Sequence, residues 1–400
     1  MRTFRRSLFL GVLGIGTFAA LGVEAAGLSP TPERSLTTLE ERRLMQSLFD
    51  LRQGRVADAL RNVSYLVKEQ PDFRLAQLIY ADLLSAQAGP LARVGNGAPK
   101  QEIEGHLEEA RARLLRYMDA PPATAVPDQL LKLPPGTPAA IFIDLSAYRL
   151  YVFQQRDGRF VLTRDFYVSI GKAGGEKRYE GDEKTPVGVY IVNSYLPGET
   201  LPDLYGIGAF PINYPNAWDR LQGRTGSGIW IHGTESASYS RPPLSSRGCV
   251  TLSNEDFGVL KRQVEVSRTP VIVAHRITWV ESEVVDVARR SLESSLESWR
   301  SDWESRDSDR YLSHYADDFR TGNMDLSAFA RHKRAVNASK KYIRVGLEQV
   351  GIYRYPGEPD LALVDFRQLY ESDNFRASRR KHQYWRRDDG RWRIVYEEGL

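Results

Sequence analysis

The residues of this chain that could do covalent chemistry lie around one cysteine, Cys249, the only cysteine among 400 residues. His232 lies 17 positions before it, at the end of a β-forming run, and turn-forming residues separate the two. A thiolate is a strong nucleophile, and a neighbouring imidazole can take the proton from the thiol. Because two strand ends joined by such a loop can meet, this spacing predicts nucleophilic catalysis, with Cys249 as the nucleophile and His232 as the general base.

The residues next to this pair favour the same chemistry. Ser246, Arg247 and Gly248 directly precede the cysteine, and their backbone N–H groups can face an oxyanion that develops beside it. Gly248 also permits the tight turn that would bring Cys249 to the mouth of a strand. Each member of the pair alone has a structural interpretation, as a buried apolar thiol or a hydrogen-bonded strand-end imidazole. Their spacing and the flanking glycines favour catalysis.

The composition indicates where this chemistry takes place. Residues 1–25 combine three arginines with a long uncharged apolar run, which predicts a secretory signal peptide; an uncleaved anchor is the alternative. We therefore expect export to the periplasm or cell envelope, where a lone cysteine has no intramolecular partner for a disulfide. Without these residues the formal net charge falls from +4 to +2, which does not favour a nucleic-acid partner. No spacing typical of metal ligands is present, and no cofactor is predicted.

Residues 26–119 predict a helical domain. Between Gly54 and Gly89 apolar residues recur at helical spacing, with Pro71 between two helices, and a third helix is expected at about 103–117. A helix pair of this length resembles one tetratricopeptide unit. One such unit cannot bury its own apolar face, so we expect these helices to pack on a neighbouring domain, a protein partner or a second copy. The Pro-rich residues 120–137 predict a linker.

Residues 138–276 predict a mostly-β domain that would position the cysteine and the histidine. Apolar and β-branched runs begin at residue 139, broken by the turn signal Asp157-Gly158, and continue in four later stretches. Those stretches cover residues 187–195, 228–232, 249–252 and 270–275, with one short helix at about 254–264.

Residues 281–400 predict a third, α+β domain. A long amphipathic helix and a short one are followed by four strand candidates joined by turn signals. This order resembles the nuclear-transport-factor-2-like fold, in which a curved sheet wraps a helix around a pocket. That fold hosts both enzymes and binding modules, so it leaves the ligand of this domain open. The basic, aromatic stretch 376–393 has two interpretations, a grip on anionic wall polymer or solvent-facing charges on a sheet.

The motifs around Cys249 resemble the L,D-transpeptidase catalytic (YkuD-type) domain. They are His-Gly-Thr at 232–234, then a loop, then Ser-Arg-Gly-Cys-Val at 246–250. The turn Gly-Lys at 171–172, the segment Lys-Thr-Pro-Val-Gly at 184–188 and the segment 213–220 are similar to the same family. The resemblance covers about residues 138–276.

The resemblance implies a reaction and a role for each residue. Cys249 would be the nucleophile and His232 the base, with the backbone carbonyl of Gly233 holding the imidazole. The thiolate would attack the amide between the diamino acid, at its L-centre, and the terminal D-alanine of a peptidoglycan tetrapeptide stem. D-alanine leaves and a thioester remains. An amine of a second stem then gives a crosslink, whereas water gives a tripeptide.

Arg247 departs from the family pattern, because many members carry a second histidine there. An arginine at this position would favour the thiolate and contact an anionic group of the substrate; its alternative is a solvated loop charge. Independently of Arg247, the enzyme hypothesis predicts that Cys249 has a low pKa and reacts with iodoacetamide or a carbapenem near neutral pH, and an inert thiol would contradict that hypothesis.

The three-part layout resembles cell-shape enzymes of helical bacteria, which act as L,D-carboxypeptidases. Transpeptidase and carboxypeptidase activities therefore both stay open. A third hypothesis, from another class, is a non-catalytic scaffold that binds the cell wall through its helical and C-terminal domains.

Overall fold

The computed structural model describes residues 36–89, 95 and 100–400. The predicted signal peptide, residues 1–25, lies outside the described residues. Within the described ranges, no helix is long and apolar enough to cross a membrane.

The described residues of the helical domain form four α-helices. They are α1, Leu39–Arg52; α2, Val56–Glu69; α3, Arg74–Ala88; and α4, Lys100–Met118. Helices α2 and α3 are the pair expected between Gly54 and Gly89, and α1 and α4 flank them. The tetratricopeptide-like character is not confirmed: the helices share an apolar core that includes Tyr239 of the following domain. The apolar face of the helices is thus covered from within the same chain.

The segment predicted to be a linker, residues 120–137, is instead built into two sheets. Strand β1, Val126–Pro127, pairs with β14, Trp279–Val280. Strand β2, Leu130–Lys132, pairs with β17, Ile343–Arg354, at the edge of the C-terminal sheet. Both leucines of β2 are buried. The linker prediction was wrong. The prolines suggested a linker, but prolines are tolerated at the ends and edges of strands, and the short apolar run between them packs against both domains.

The predicted mostly-β domain contains a five-stranded sheet with the order β5-β4-β3-β13-β7. Its strands are β3, Ala140–Asp144; β4, Arg149–Arg156; β5, Arg159–Tyr167; β7, Gly188–Ile191; and β13, Pro270–Ala274. Alternate residues of a strand point to opposite faces. Accordingly Ile141 and Ile143 enter one core, while Ala140 and Phe142 enter another. Burial on both faces explains the nearly continuous apolar runs of this segment.

A second sheet of the same domain, with the order β12-β10-β9-β8, covers the first core. Its strands are β8, Leu196–Pro197; β9, Gly208–Pro211; β10, Trp230–His232; and β12, Val250–Thr251. The strands β6, Ile170–Gly171, and β11, Leu244–Ser246, pair separately. Two short helices complete the domain, α5, Ala217–Leu221, and α6, Asn254–Lys261.

The C-terminal domain is a curved seven-stranded sheet with three helices. The helices are α7, Ser282–Ser305; α8, Ser308–Leu312; and α9, Leu326–Ala338. The strands besides β2 and β17 are β15, Tyr315–Thr321; β16, Met324–Asp325; β18, Leu361–Ser372; β19, Arg376–Asp388; and β20, Arg391–Gly399. Trp299 and Trp303 of α7 are buried among aromatic residues of the sheet and of α8. Each of the four predicted strands is present, as β17 to β20.

The C-terminal sheet packs directly on the five-stranded sheet, and one apolar cluster runs through both. Trp218 of α5 stacks on Tyr384, with ring centroids 5.2 Å apart, and its indole N–H donates to Glu358 at 2.8 Å. Asn216 Nδ2 donates to the hydroxyl of Tyr355 at 3.1 Å. The two domains therefore share a core and hydrogen bonds.

A buried histidine of the C-terminal sheet lies between two carboxylates. His382 Nε2 is 3.4 Å from Asp365 Oδ1, and Nδ1 is 3.4 Å from Glu398 Oε1. Burial alone would lower the pKa of His382, but the two carboxylates outweigh it and raise the pKa to about 9. The imidazolium is thus the stable form of this residue at neutral pH.

Candidate active site

Parallel pairing of β10 with β12 brings the predicted catalytic residues together. Ile231 pairs with Val250 and His232 pairs with Thr251, while Cys249 directly precedes β12. Because alternate residues of a strand share a face, this register places Cys249 on the side of the sheet where Thr251 meets His232. The structure thus places on neighbouring strands two residues that are separated by a long loop in the sequence.

His232 is buried and its ring is held on both sides. Nδ1 lies 2.6 Å from the carbonyl oxygen of Gly233, and Nε2 lies 3.3 Å from Thr251 Oγ1. Because a carbonyl oxygen only accepts hydrogen bonds, the proton belongs on Nδ1 and the lone pair on Nε2. The ring of Tyr205 packs edge-on against the imidazole at 5.0 Å. Burial lowers the pKa of His232 to about 4, so the imidazole is neutral at physiological pH and can accept a proton.

Cys249 is half-buried, and its Sγ lies 3.5 Å from the carbonyl oxygen of Gly228. Burial raises the pKa of the thiol, against the opposing effects of the Trp230 backbone N–H and of the cations Arg241 and Lys177. The expectation of a low pKa is therefore wrong for the free protein, because the cost of burying a thiolate exceeds the help of these charges. The resting pair is a neutral thiol and a neutral imidazole.

Ser246 and Gly248 shape the turn that presents the cysteine. Ser246 Oγ accepts from the Gly248 N–H at 3.0 Å and donates to the carbonyl oxygen of Cys249 at 2.6 Å. The carbonyl of Gly248 accepts from Thr185 Oγ1 at 3.0 Å. The φ angle of Gly248 is +120°, and a Cβ there would lie 2.7 Å from the carbonyl oxygen of Lys184. Only glycine fits this position without strain. The Gly248 N–H is therefore used within the turn and does not act as the predicted oxyanion donor in this conformation.

Arg247 is exposed, whereas two other cations, Arg241 and Lys177, lower the pKa of the thiol. Arg241 Nε donates to Glu235 Oε2 at 2.7 Å, and its Nη2 donates to the carbonyl of Leu204 at 2.8 Å. The charge of Arg241 lowers the pKa of both Cys249 and His232. In the sequence, Arg241 stands in a segment with turn character only, so no local pattern indicated it.

Lys177 is the second cation that affects the thiol. Its Nζ lies 2.7 Å from Asp182 Oδ1, and both side chains are buried. Although burial opposes ionisation of Asp182, Lys177 and the backbone N–H groups around it lower its pKa to about 2. This buried ion pair fixes the segment before Thr185 that supports the cysteine turn. Among the residues that the structure describes, no cluster of His, Cys, Asp or Glu is arranged to hold a metal ion.

Two family models match the chain. Residues 138–273 match the L,D-transpeptidase catalytic domain, and residues 291–398 match the Cds6 C-terminal NTF2-like domain. The chain carries an L,D-transpeptidase catalytic domain. It also carries an NTF2-like domain at its C-terminal end, as the sequence predicted. Neither model extends to residues 1–137, so the helical domain lies outside both.

Two solved structures are similar to more than two thirds of this chain. Bd1075 from Bdellovibrio bacteriovorus is 29% identical with a TM-score of 0.61, and the match covers 69% of this chain and 98% of that one. The helical cell shape determining protein Pgp2 from Campylobacter jejuni is 25% identical with a TM-score of 0.57, over 69% of this chain and 94% of that one. No curated protein matches the sequence.

Proposed function

We propose that this protein is a peptidoglycan-modifying cysteine acyltransferase of the periplasm or cell envelope. Its substrate would be the tetrapeptide stem, cleaved between the L-centre of the diamino acid and the terminal D-alanine. The observation that carries the proposal is the neutral His232, fixed on Gly233, beside Cys249 within an L,D-transpeptidase catalytic domain. The predicted signal peptide supports the location, since peptidoglycan lies outside the inner membrane.

The chemistry follows from the protonation states. His232 Nε2 takes the proton of the Cys249 thiol as Sγ attacks the carbonyl carbon of the stem amide. When the tetrahedral intermediate collapses, the C–N bond breaks, and the imidazolium returns the proton to the departing amine of D-alanine. A thioester joins Cys249 to the stem. The hydrogen bond from Nδ1 to Gly233 stabilises the imidazolium that forms in between.

Two acceptors can resolve the thioester. If an amine of a second stem attacks, an amide crosslink forms; if water attacks, a tripeptide carboxylate forms. In both cases His232 removes a proton from the acceptor, and the thiol is regenerated. Transpeptidation is the reaction for which the catalytic domain is named. Hydrolysis is favoured by the three-part layout, which resembles that of cell-shape L,D-carboxypeptidases. The similarity to a helical cell shape determining protein agrees with that resemblance.

The test is incubation of the purified protein with tetrapeptide-rich muropeptides, followed by separation and mass analysis of the products. We expect release of D-alanine, with crosslinked dimers if an amine is the acceptor and tripeptide monomers if water is. Cys249→Ala should abolish all products, and His232→Gln should lower turnover by about 10³. The matched control is His275→Gln, because His275 is a half-exposed surface histidine paired with Glu176.

One result would overturn the proposal: full D-alanine release by Cys249→Ala. If the wild-type protein forms no product from these muropeptides but sediments with cell-wall sacculi, the non-catalytic scaffold hypothesis replaces it.

A further inference from the structure

The loop between the two catalytic residues is attached to the N-terminal helices. We call residues 233–243, between β10 and β11, the 233–243 loop. Its Tyr239 is buried against Phe73, with ring centroids 4.3 Å apart, and the Tyr239 N–H donates to the carbonyl of Asp72 at 3.2 Å. The beginning of α3 therefore supports the middle of the loop.

A buried carboxylate of α4 makes the second attachment. Ser240 Oγ donates to Glu109 Oε1 at 2.6 Å, and Glu109 is fully buried. The same carboxylate accepts from Arg113 Nε at 3.0 Å and from Arg113 Nη2 at 2.9 Å. A buried carboxylate is tolerated only where such partners are in place. The buried carboxylate of Glu109 therefore fixes the position of Ser240, because moving it would break its hydrogen bonds with Arg113.

The carboxylate of Glu109 belongs to a network of buried ion pairs, which we call the buried charge network. Arg113 also donates to Glu41 of α1, and Glu41 accepts from Arg149 of β4 at 3.0 Å. Arg149 donates to Asp165 of β5 at 2.7 Å, and Arg116 of α4 donates to the same carboxylate. Three carboxylates and three arginines balance one another. This buried charge network connects the helices to the five-stranded sheet through Arg149 and Asp165. It connects them to the 233–243 loop through Glu109.

The residue after Ser240 is Arg241, whose charge lowers the pKa of both catalytic side chains. It also contacts Leu204, the neighbour of Tyr205, whose ring packs against His232. Its guanidinium is held by Glu235 of the same loop and by the carbonyl of Leu204. The catalytic domain holds the backbone of Arg241, because the Arg241 carbonyl accepts from Tyr167 Oη and from Ser169 Oγ, both at 2.9 Å. The helices hold the two residues before it, Tyr239 and Ser240, so the loop is supported from both sides.

We propose that the N-terminal helical domain supports the active site through the 233–243 loop, and that Glu109 and Ser240 are positioning residues for Arg241. The matched family models begin after these helices, so this role goes beyond the proposed acyltransferase function. Only the turnover measurement below rests on that function; the measurement of thiol reactivity does not.

The first test is the rate at which iodoacetamide alkylates Cys249, measured by mass spectrometry at one pH near 8. Removal of the Arg241 charge lowers the thiolate fraction, and one pKa unit corresponds to a tenfold change. We expect Arg241→Gln and Ser240→Ala each to slow alkylation by about threefold to tenfold. In a double-mutant cycle, Ser240→Ala should add nothing to Arg241→Gln, because both act through one charge.

Rescue and control variants separate positioning from loss of structure. Ser240→Thr keeps the hydroxyl donor and should restore the rate. Glu109→Ala removes the acceptor of Ser240 and should behave like Ser240→Ala, whereas Glu108→Ala, on the exposed side of the same helix, should leave the rate unchanged. Partial unfolding would expose the thiol and speed alkylation, so the direction of the change distinguishes the two effects.

With muropeptides, the positioning role predicts that Ser240→Ala lowers kcat by about tenfold with little change in KM. The inference is overturned if Ser240→Ala alkylates at the wild-type rate, or if its effect is fully additive with that of Arg241→Gln. If the wild-type protein turns over no muropeptide, the proposed function fails, but the alkylation cycle still decides the role of the helices.

Discussion

The neutral state of the catalytic pair predicts how the reactivity of Cys249 depends on pH. A preformed thiolate–imidazolium pair would make alkylation nearly independent of pH between the two pKa values. Here burial raises the pKa of Cys249 above its ordinary 9.0 and lowers that of His232 to about 4. Thus at neutral pH neither residue is charged, and the thiolate is a minor species.

The magnitude follows from the direction of the thiol shift. With a pKa above 9.0, the thiolate fraction at pH 7 is at most about 1%, and it rises about tenfold per pH unit. The alkylation rate should therefore increase about a hundredfold between pH 6 and pH 8, with no plateau in that range.

The assay is iodoacetamide labelling across that pH range, quantified on the intact protein by mass spectrometry. Because Cys249 is the only cysteine, every label reports this site, and Cys249→Ala gives the background. His232→Gln should keep nearly the same pH profile, since His232 carries no charge that stabilises the resting thiolate. A plateau between about pH 5 and pH 8 in the wild-type protein, lost in His232→Gln, would refute this reasoning and establish an ion pair.

Three further predictions concern stability and the cysteine turn. Arg149→Met breaks the buried charge network and should lower the free energy of unfolding by about 3 kcal/mol. Asp58→Asn, in a largely exposed ion pair, should lower it by less than about 1 kcal/mol. Equal losses in urea unfolding would contradict this. Gly248→Ala should lose turnover and about 1–3 kcal/mol of stability, more than Gly158→Ala, which has positive φ but open space around its Cβ; identical effects would exclude the backbone clash as the cause. His382, with its pKa raised from 6.5 to about 9, contributes stability that is complete below pH 6.5 and lost as pH rises through 9, on the order of 3 kcal/mol. Thermal unfolding midpoints of the wild-type protein and His382→Gln should therefore converge as pH rises, and parallel curves would reject this contribution.

The catalytic pair and the strands could be predicted because their signals are local. The four C-terminal strands are long and separated by clear turn residues, and His232 and Cys249 stand in short motifs at strand ends. The contribution of Arg241 could not be predicted, because it depends on how a loop packs against helices more than 100 residues away in the sequence.

The pKa of the thiol is a second property that the sequence could not supply. Arg247 lies two positions before Cys249 in the sequence, yet it is exposed, while the more distant Arg241 and Lys177 lower the pKa of the thiol. Burial, which depends on the whole tertiary structure, then outweighs these charges. Likewise, the prolines of residues 120–137 predicted a linker, because β-pairing with a distant edge strand leaves no mark in the local sequence.

That pairing of β2 with β17 makes the L,D-transpeptidase domain an insertion within the fold of the C-terminal domain. One strand of the C-terminal sheet precedes the inserted domain and all the others follow it. Both ends of the insertion are therefore anchored to the same body, which opposes a hinge motion between the two. A fragment that begins at residue 138 would also leave the edge of β17 with unpaired backbone groups, a surface on which sheets of separate molecules can join.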